Sequence, residues 1–268
     1  MSDKLKRVER DDAASIYDPD PVLGKYVSHH PSNRLLLLIR AGIFYALAVV
    51  VLQLIFFTVP DEAAAIFLPI AFAGIAGIAL WYTLHHWNRE VVLYERGFTF
   101  RQGSDTAYIL YVNVVKLMQN IEVIGGGSLK RRFFDYKLIT DVDEVLPITN
   151  VYSNPDKLTR LLERAITRDR LQIMQEQLSR GEEVALAENF KLTPDGILLP
   201  DKELFWRELA DTRVKQGHII IASTSDEAWH SAPTDSFDNP MLALAALKSM
   251  SKRMNPADTQ AVMQSDEV

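Results

Sequence analysis

Two uninterrupted apolar runs stand out against an otherwise mixed pattern. From Leu35 the chain reads LLLLIRAGIFYALAVVVLQLIFFTV, and after Pro60, Asp61 and Glu62 it reads AAAIFLPIAFAGIAGIALWYTL, ending at Leu84. A helix crosses a bilayer with about 20 apolar residues, because it satisfies its own backbone hydrogen bonds where water is absent. The pattern therefore predicts a two-helix transmembrane hairpin within residues 34–87, with spans at about 35–59 and 63–84. Buried helices of a soluble fold are seldom this long and apolar. A cleaved leader would start nearer the N-terminus and end in a small-residue cleavage site, whereas here a polar stretch of 1–33 comes first.

Beyond the second run the periodicity changes to short alternating segments: VVLY from Val91, FTF from Phe98, YILYV from Tyr108, IEVI from Ile121 and YKLI from Tyr136. These predict strands. Helical spacing returns in two places, each opened by an Asn-Pro pair fit to cap and start a helix. After Asn154 and Pro155, residues Leu158, Leu161, Leu162, Ala165, Ile166 and Ile173 share one face, with Gly181 as the stop. After Asn239 and Pro240 come Leu244, Leu247 and Met250.

The two Asn-Pro helices suggest an internal repeat. LYERGF (93–98), the strand near 108–115 and NIEVI (120–124) precede the first helix. LTPDGI (192–197), the strand near 204–214 and GHIII (217–221) precede the second. The expected organisation is a first strand-rich domain over 90–180, a second over 181–254, and polar, disordered stretches over most of residues 1–30 and over 255–268.

Antiparallel strands closed by one amphipathic helix resemble the pleckstrin-homology-like (PH-like) fold. With LYERGF, LTPDGI and FWREL (205–209), residues 33–252 look like uncharacterised bacterial membrane proteins that pair two transmembrane helices with PH-like domains. The resemblance implies a membrane α-hairpin plus a mainly-β, α+β soluble region of tandem PH-like barrels. Its motifs are turn glycines and core aromatics, so it implies a fold and no chemistry.

Charge sets the orientation. Lys25, Arg34 and Arg40 precede or open the first span, Arg89, Arg96 and Arg101 follow the second, and the connecting turn has no basic residue. Both termini are then expected on the cytoplasmic side of the cell (plasma) membrane, with Trp81, Tyr82 and Trp87 at that interface. Overall, 29 Lys plus Arg against 35 Asp plus Glu give no basic field for nucleic acid. There is no cysteine, which removes disulfides, thiolate metal sites and cysteine nucleophiles.

Gly42 and Ala46, and Ala65, Pro69, Ala73 and Gly77, recur at fourth positions and predict small helix-packing faces, serving the hairpin itself or a homo-oligomer. The loop GGGSLKRRFF carries Lys130, Arg131, Arg132, Phe133 and Phe134. It reads either as a lipid- or partner-binding tip or as a loop whose phenylalanines begin the next strand. His29 and His30 before the first span, and His85 and His86 at the end of the second, return to one membrane face. They read as interfacial anchors or as a site for zinc, copper or haem and a pH response. No GxSxG, HExxH, P-loop or GxGxxG template is present. The expected function is accordingly a non-enzymatic, cofactor-free scaffold on the lipid bilayer that binds a protein partner or anionic headgroups, the alternative being a sensor or small-ligand binder using the histidines.

Overall fold

The computed structural model describes residues 18–57, 61–124 and 131–254. Strand β1 (Tyr26–Pro31) leads into helix α1 (Arg34–Phe56) and helix α2 (Asp61–Trp87). Then follow β2 (Glu90–Tyr94), β3 (Gly97–Gln102), β4 (Asp105–Leu110), β5 (Val114–Ile124), β6 (Arg131–Thr140), β7 (Val145–Thr149) and helix α3 (Pro155–Ser179). The rest of the chain is β8 (Val184–Ala187), β9 (Phe190–Leu192), β10 (Gly196–Leu198), β11 (Glu203–Phe205), β12 (Leu209–Lys215), β13 (His218–Ser223), β14 (His230–Pro233) and helix α4 (Pro240–Met254).

The element order repeats. Strands β1 to β4 form one antiparallel sheet and β5 to β7 a second, before α3; β8 to β11 and β12 to β14 do the same before α4. In both halves a short 3-10 turn separates the sheets, Tyr111–Asn113 in one and Trp206–Glu208 in the other. None of the four sheets closes into a barrel. This corrects the expectation of closed PH-like barrels: the 3-10 turn ends the hydrogen-bond ladder after the fourth strand, and the next strand starts a new sheet. The same turn splits YILYV, which reads as one strand in the sequence. The chain is a mixed α/β protein.

Two of the matched segments, LYERGF and LTPDGI, occupy the equivalent turns β2–β3 and β9–β10. NIEVI and GHIII are not equivalent, since the first ends β5 and the second lies in β13, one strand later. Apolar composition alone cannot distinguish neighbouring strands of a meander. The glycines of the two matched turns do the same work. A Cβ on Gly97 would sit 2.2 Å from the Ile109 carbonyl oxygen, and one on Gly196 would sit 2.1 Å from that of Leu204. Only glycine permits such close crossing of backbone.

The N-terminal stretch, expected to be a polar tail, instead contributes β1. It pairs antiparallel with β2, from Pro31 opposite Glu90 to Tyr26 opposite Tyr94. Its residues carry too little apolar alternation to announce a strand; the pairing comes from a partner that follows both long helices. The whole α1–α2 hairpin thus occupies a β-hairpin connection, residues 32–89, where the second half has only Glu188 and Asn189 between β8 and β9.

Chain contacts divide the protein into two compact units, one comprising residues up to 109 with 148–158, the other 110–147 with the residues from 159 on. The core of the first unit is Leu23, Leu37, Val91, Leu93, Phe98, Ile109, Ile148 and Tyr152, all buried. The second unit has a core around Trp206, with Phe190, Leu192, Ile197, Ile221, Phe237 and Leu247, joined by Met174 and Leu178 from the last turns of α3. The Gln-rich end of α3 is therefore a packed helix.

Helix ends follow the sequence closely. Asn33 Oδ1 accepts the Leu36 N–H at 3.0 Å, Asn154 Oδ1 that of Lys157 at 3.2 Å and Asn239 Oδ1 that of Leu242 at 3.0 Å. Gly181 (φ +84°) ends α3, with Glu182 N–H donating to the Gln177 carbonyl and Gly181 N–H to that of Leu178. The acidic run 141–144 turns the chain between β6 and β7: Thr140 N–H donates to the Glu144 carbonyl and Asp143 takes φ +60°.

Alanine at Gly97 or at Gly196 is expected to lower stability by about 1–3 kcal/mol, because backbone must shift to admit it. Thermal unfolding of the detergent-solubilised full chain checks this, with Gly103→Ala, which meets open space but has φ +69°, giving the smaller cost of backbone strain alone.

Candidate functional site

Helices α1 and α2 are each long and apolar enough to cross a membrane, and only 6% of each apolar window is buried. A helix from a soluble core would be mostly buried. Here Leu35, Leu38, Leu47, Val51, Leu54, Phe67, Ile70 and Leu80 all point outward.

The feature that most distinguishes the first unit is the base of this hairpin, where it joins the sheet. Ser32 donates its N–H to the Arg89 carbonyl (2.8 Å) and its hydroxyl to the Trp87 carbonyl (2.6 Å), tying the start of α1 to the end of α2. Asn33 N–H donates to the Val151 carbonyl at 2.7 Å, and Ser153 N–H to that of Pro31 at 2.8 Å. Above these bonds the Arg34 guanidinium lies 5.2 Å from the Trp87 ring centre.

The four histidines at the base have largely separate partners, with the His85 and His86 rings edge-on at 5.1 Å. His29 Nε2 meets Glu90 Oε2 at 3.1 Å, and Arg101 reaches Glu90 Oε1 at 3.3 Å. His30 is buried, with Nδ1 3.2 Å from the Ser153 carbonyl oxygen. A carbonyl only accepts, so Nδ1 carries the proton and Nε2 takes that of the Ser28 hydroxyl, 3.2 Å away. His85 stacks on Trp81 and receives a hydrogen bond from the buried Arg89 at 3.1 Å. His86 meets the Tyr82 ring edge-on. Among the described residues no group of three or more His, Asp or Glu is arranged to hold a metal ion. Adjacent residues on a strand or helix point different ways, which the sequence spacing does not show.

Burial holds the His30 imidazole below the usual histidine range, against the pull of its Ser153 hydrogen bond. The hydrogen bond from His29 holds the Glu90 carboxyl below the usual carboxylate range, with burial opposing and Arg101 helping. Burial raises the Tyr152 phenol, with Arg89 opposing. The Tyr152 hydroxyl and Arg89 Nε have no hydrogen-bond partner among the described residues.

The small residues expected to pack the helices together face outward. Gly42, Ala46, Ala73 and Gly77 are exposed, and a Cβ on Gly42 or Gly77 meets nothing within 4 Å. Ala65 lies in α2. The less exposed positions on the two helices include Leu37, Ala41, Ala48 and Leu52 of α1 and Leu68, Ala71, Ile75, Ala79 and Thr83 of α2. Between the helices is a groove of about 250 Å³ lined by Arg40, Ala41, Phe44, Ile78, Ala79 and Tyr82. Sequence reasoning placed Arg40 and Tyr82 at the interface separately; only the pairing of the helices puts them in one groove.

Of the basic-aromatic loop, Arg131 to Phe134 have their backbone in β6, opposite Ile124 to Ile121 of β5. These four therefore belong to a strand, and Lys130 with the glycines before it lies outside the described residues.

The chain is thus defined by its architecture, an apolar two-helix hairpin set into the first turn of a repeated strand-rich module. It belongs to the family of unknown function DUF6585, which it matches over residues 18–233, hairpin and both sets of strands included. No curated protein matches it.

His30 and Glu90 act on stability in one direction. His30 binds a proton more weakly folded than unfolded, so its contribution is complete above about pH 6.5 and declines as pH falls below that. Glu90 has a depressed pKa, so its contribution is complete above about pH 4.5 and is lost as pH falls through its lower folded value. Protection factors of the β1 and β2 amides, with the pH dependence of intrinsic exchange divided out, are expected to fall from pH 7 to 5 in the wild type and to change less in His30→Gln. Alanine at Gly42 or Gly77, by contrast, should leave thermal stability unchanged or slightly raised, since it removes helical glycine without a clash.

Proposed function

We propose that this protein is a membrane-anchored, non-enzymatic scaffold whose hairpin spans the plasma membrane and holds two PH-like modules, open in their sheets, at the cytoplasmic face for a protein partner. The observation that carries the reading is the pairing of β1 with β2 across the hairpin: the strands leave the two helix ends directly, so the first module is joined to the anchor by hydrogen-bonded sheet. A module held so close has its orientation restricted, which raises the effective concentration of any partner on the same surface. The order of four strands, three strands and a helix in each half supports the PH-like assignment. The basic residues at the helix ends and their absence from the described start of α2 support the cytoplasmic orientation.

The natural chain has no cysteine, so single cysteines report without background. Ser104→Cys in the β3–β4 turn and Ser179→Cys at the end of α3, both exposed, are expected to react with a membrane-impermeant maleimide only after the cells are opened. Labelling of intact cells would reverse the orientation. Photo-crosslinkers at the same sites are expected to give adducts of discrete mass in native membranes, and a chain that gives none at any exposed site of either module is not a scaffold.

A further inference from the structure

Arg40 is a cation without a counter-ion. It lies six residues into α1 beyond Arg34, and among the described residues it makes no ion pair or hydrogen bond. Helix α1 contains no acidic residue, and Asp61 and Glu62 open α2 at its opposite end. A guanidinium this far into an apolar helix snorkels to the interface, where an anion would complete its hydrogen bonds.

The depth identifies that anion. Arg40 is about 9 Å along the helix from Arg34, and Tyr82 is about 8 Å from Trp87 along the other, by the 1.5 Å rise per residue. If Arg34 and Trp87 stand at the outer edge of the headgroups, a layer roughly 5–7 Å thick, then Arg40 and Tyr82 lie at its inner boundary. A guanidinium there reaches back to phosphate depth. Below it, Ala41, Phe44, Ile78 and Ala79 offer an apolar trough leading toward the hydrocarbon.

We infer that the groove between α1 and α2 is a binding site for one anionic phospholipid. Its phosphate pairs with Arg40 and accepts from the Tyr82 hydroxyl, and an acyl chain lies along Phe44 and Ile78. Bidentate geometry suits guanidinium and phosphate, and a net negative headgroup neutralises the orphan charge. A second copy of this chain fits the groove less well. Two copies inserted the same way hold their Arg40 residues at one depth, and a symmetric contact through this face would bring two cations together with no acid between them. The inference rests on the membrane-spanning reading above.

The test uses the full chain in nanodiscs of equal phosphatidylglycerol and phosphatidylcholine, released into native mass spectrometry. Wild type is expected to retain one phosphatidylglycerol per chain in preference to phosphatidylcholine. Arg40→Gln should retain about fivefold less, the factor for one basic residue at an anionic surface. Ala79→Leu, which fills the trough with Arg40 intact, should also lose the lipid, while Gly42→Leu on the exposed face should keep it. Equal retention by wild type, Arg40→Gln and Ala79→Leu overturns the site, as does equal retention of the two lipids or release of lipid-free dimers. Carbonate extraction separates this from failure of the anchor. An integral Arg40→Gln chain with an unchanged lipid count sinks the lipid site alone, whereas wild type extracted as a peripheral protein sinks the spanning reading itself.

Discussion

The pairing of β1 with β2 is the constraint on which the rest of the first unit depends. Five rungs place Pro31 beside Glu90, and that fixes where α1 begins and α2 ends. Ser32 and Asn33 can then bond to Trp87, Arg89 and Val151 only because the two chain ends are one strand spacing apart. The two helices that leave this base share one groove, lined in part by Arg40 and Tyr82. Burial of His30 and the grip of His29 and Arg101 on Glu90 are further results of the same register.

What the sequence reveals follows from the range of each interaction. Both long helices, their apolar surfaces and the Asn caps of α3 and α4 are local, set by composition or by a residue and its third neighbour, and they read directly. The repeat is legible because LYERGF and LTPDGI encode a backbone crossing that no other residue but glycine fits. Strand β1 is not legible. YVSHHP lacks alternation, and its partner lies beyond two helices. The break of YILYV by a 3-10 turn, and hence the open sheets, also escapes, since the residues that end a ladder look like those that continue it.

At the candidate site the division is similar. Arg34, Arg40, Tyr82 and Trp87 are legible in the sequence as polar and aromatic residues near the ends of the two apolar helices. Small-residue spacing shows only that a face could pack: Gly42 and Gly77 look into open space rather than into the hairpin, which leaves such a face to the homo-oligomer alternative. For the histidine pairs, arrival at one end of a hairpin gathers no three metal-ligating groups among the described residues, and each ring has its own partners, His85 and His86 also meeting edge-on.

Placing a long hairpin where the second half of the chain has two residues has a consequence for the order of folding. Closing a flexible loop of the length of residues 32–89, compared with a turn like Glu188–Asn189, costs roughly 3 kcal/mol more, at about 0.6 kcal/mol per doubling. Two helices standing antiparallel remove most of that cost, because they bring Pro31 and Glu90 together before any strand forms. Sheet assembly in the first unit then waits on the hairpin, whereas β8 and β9 can find each other as soon as they are synthesised.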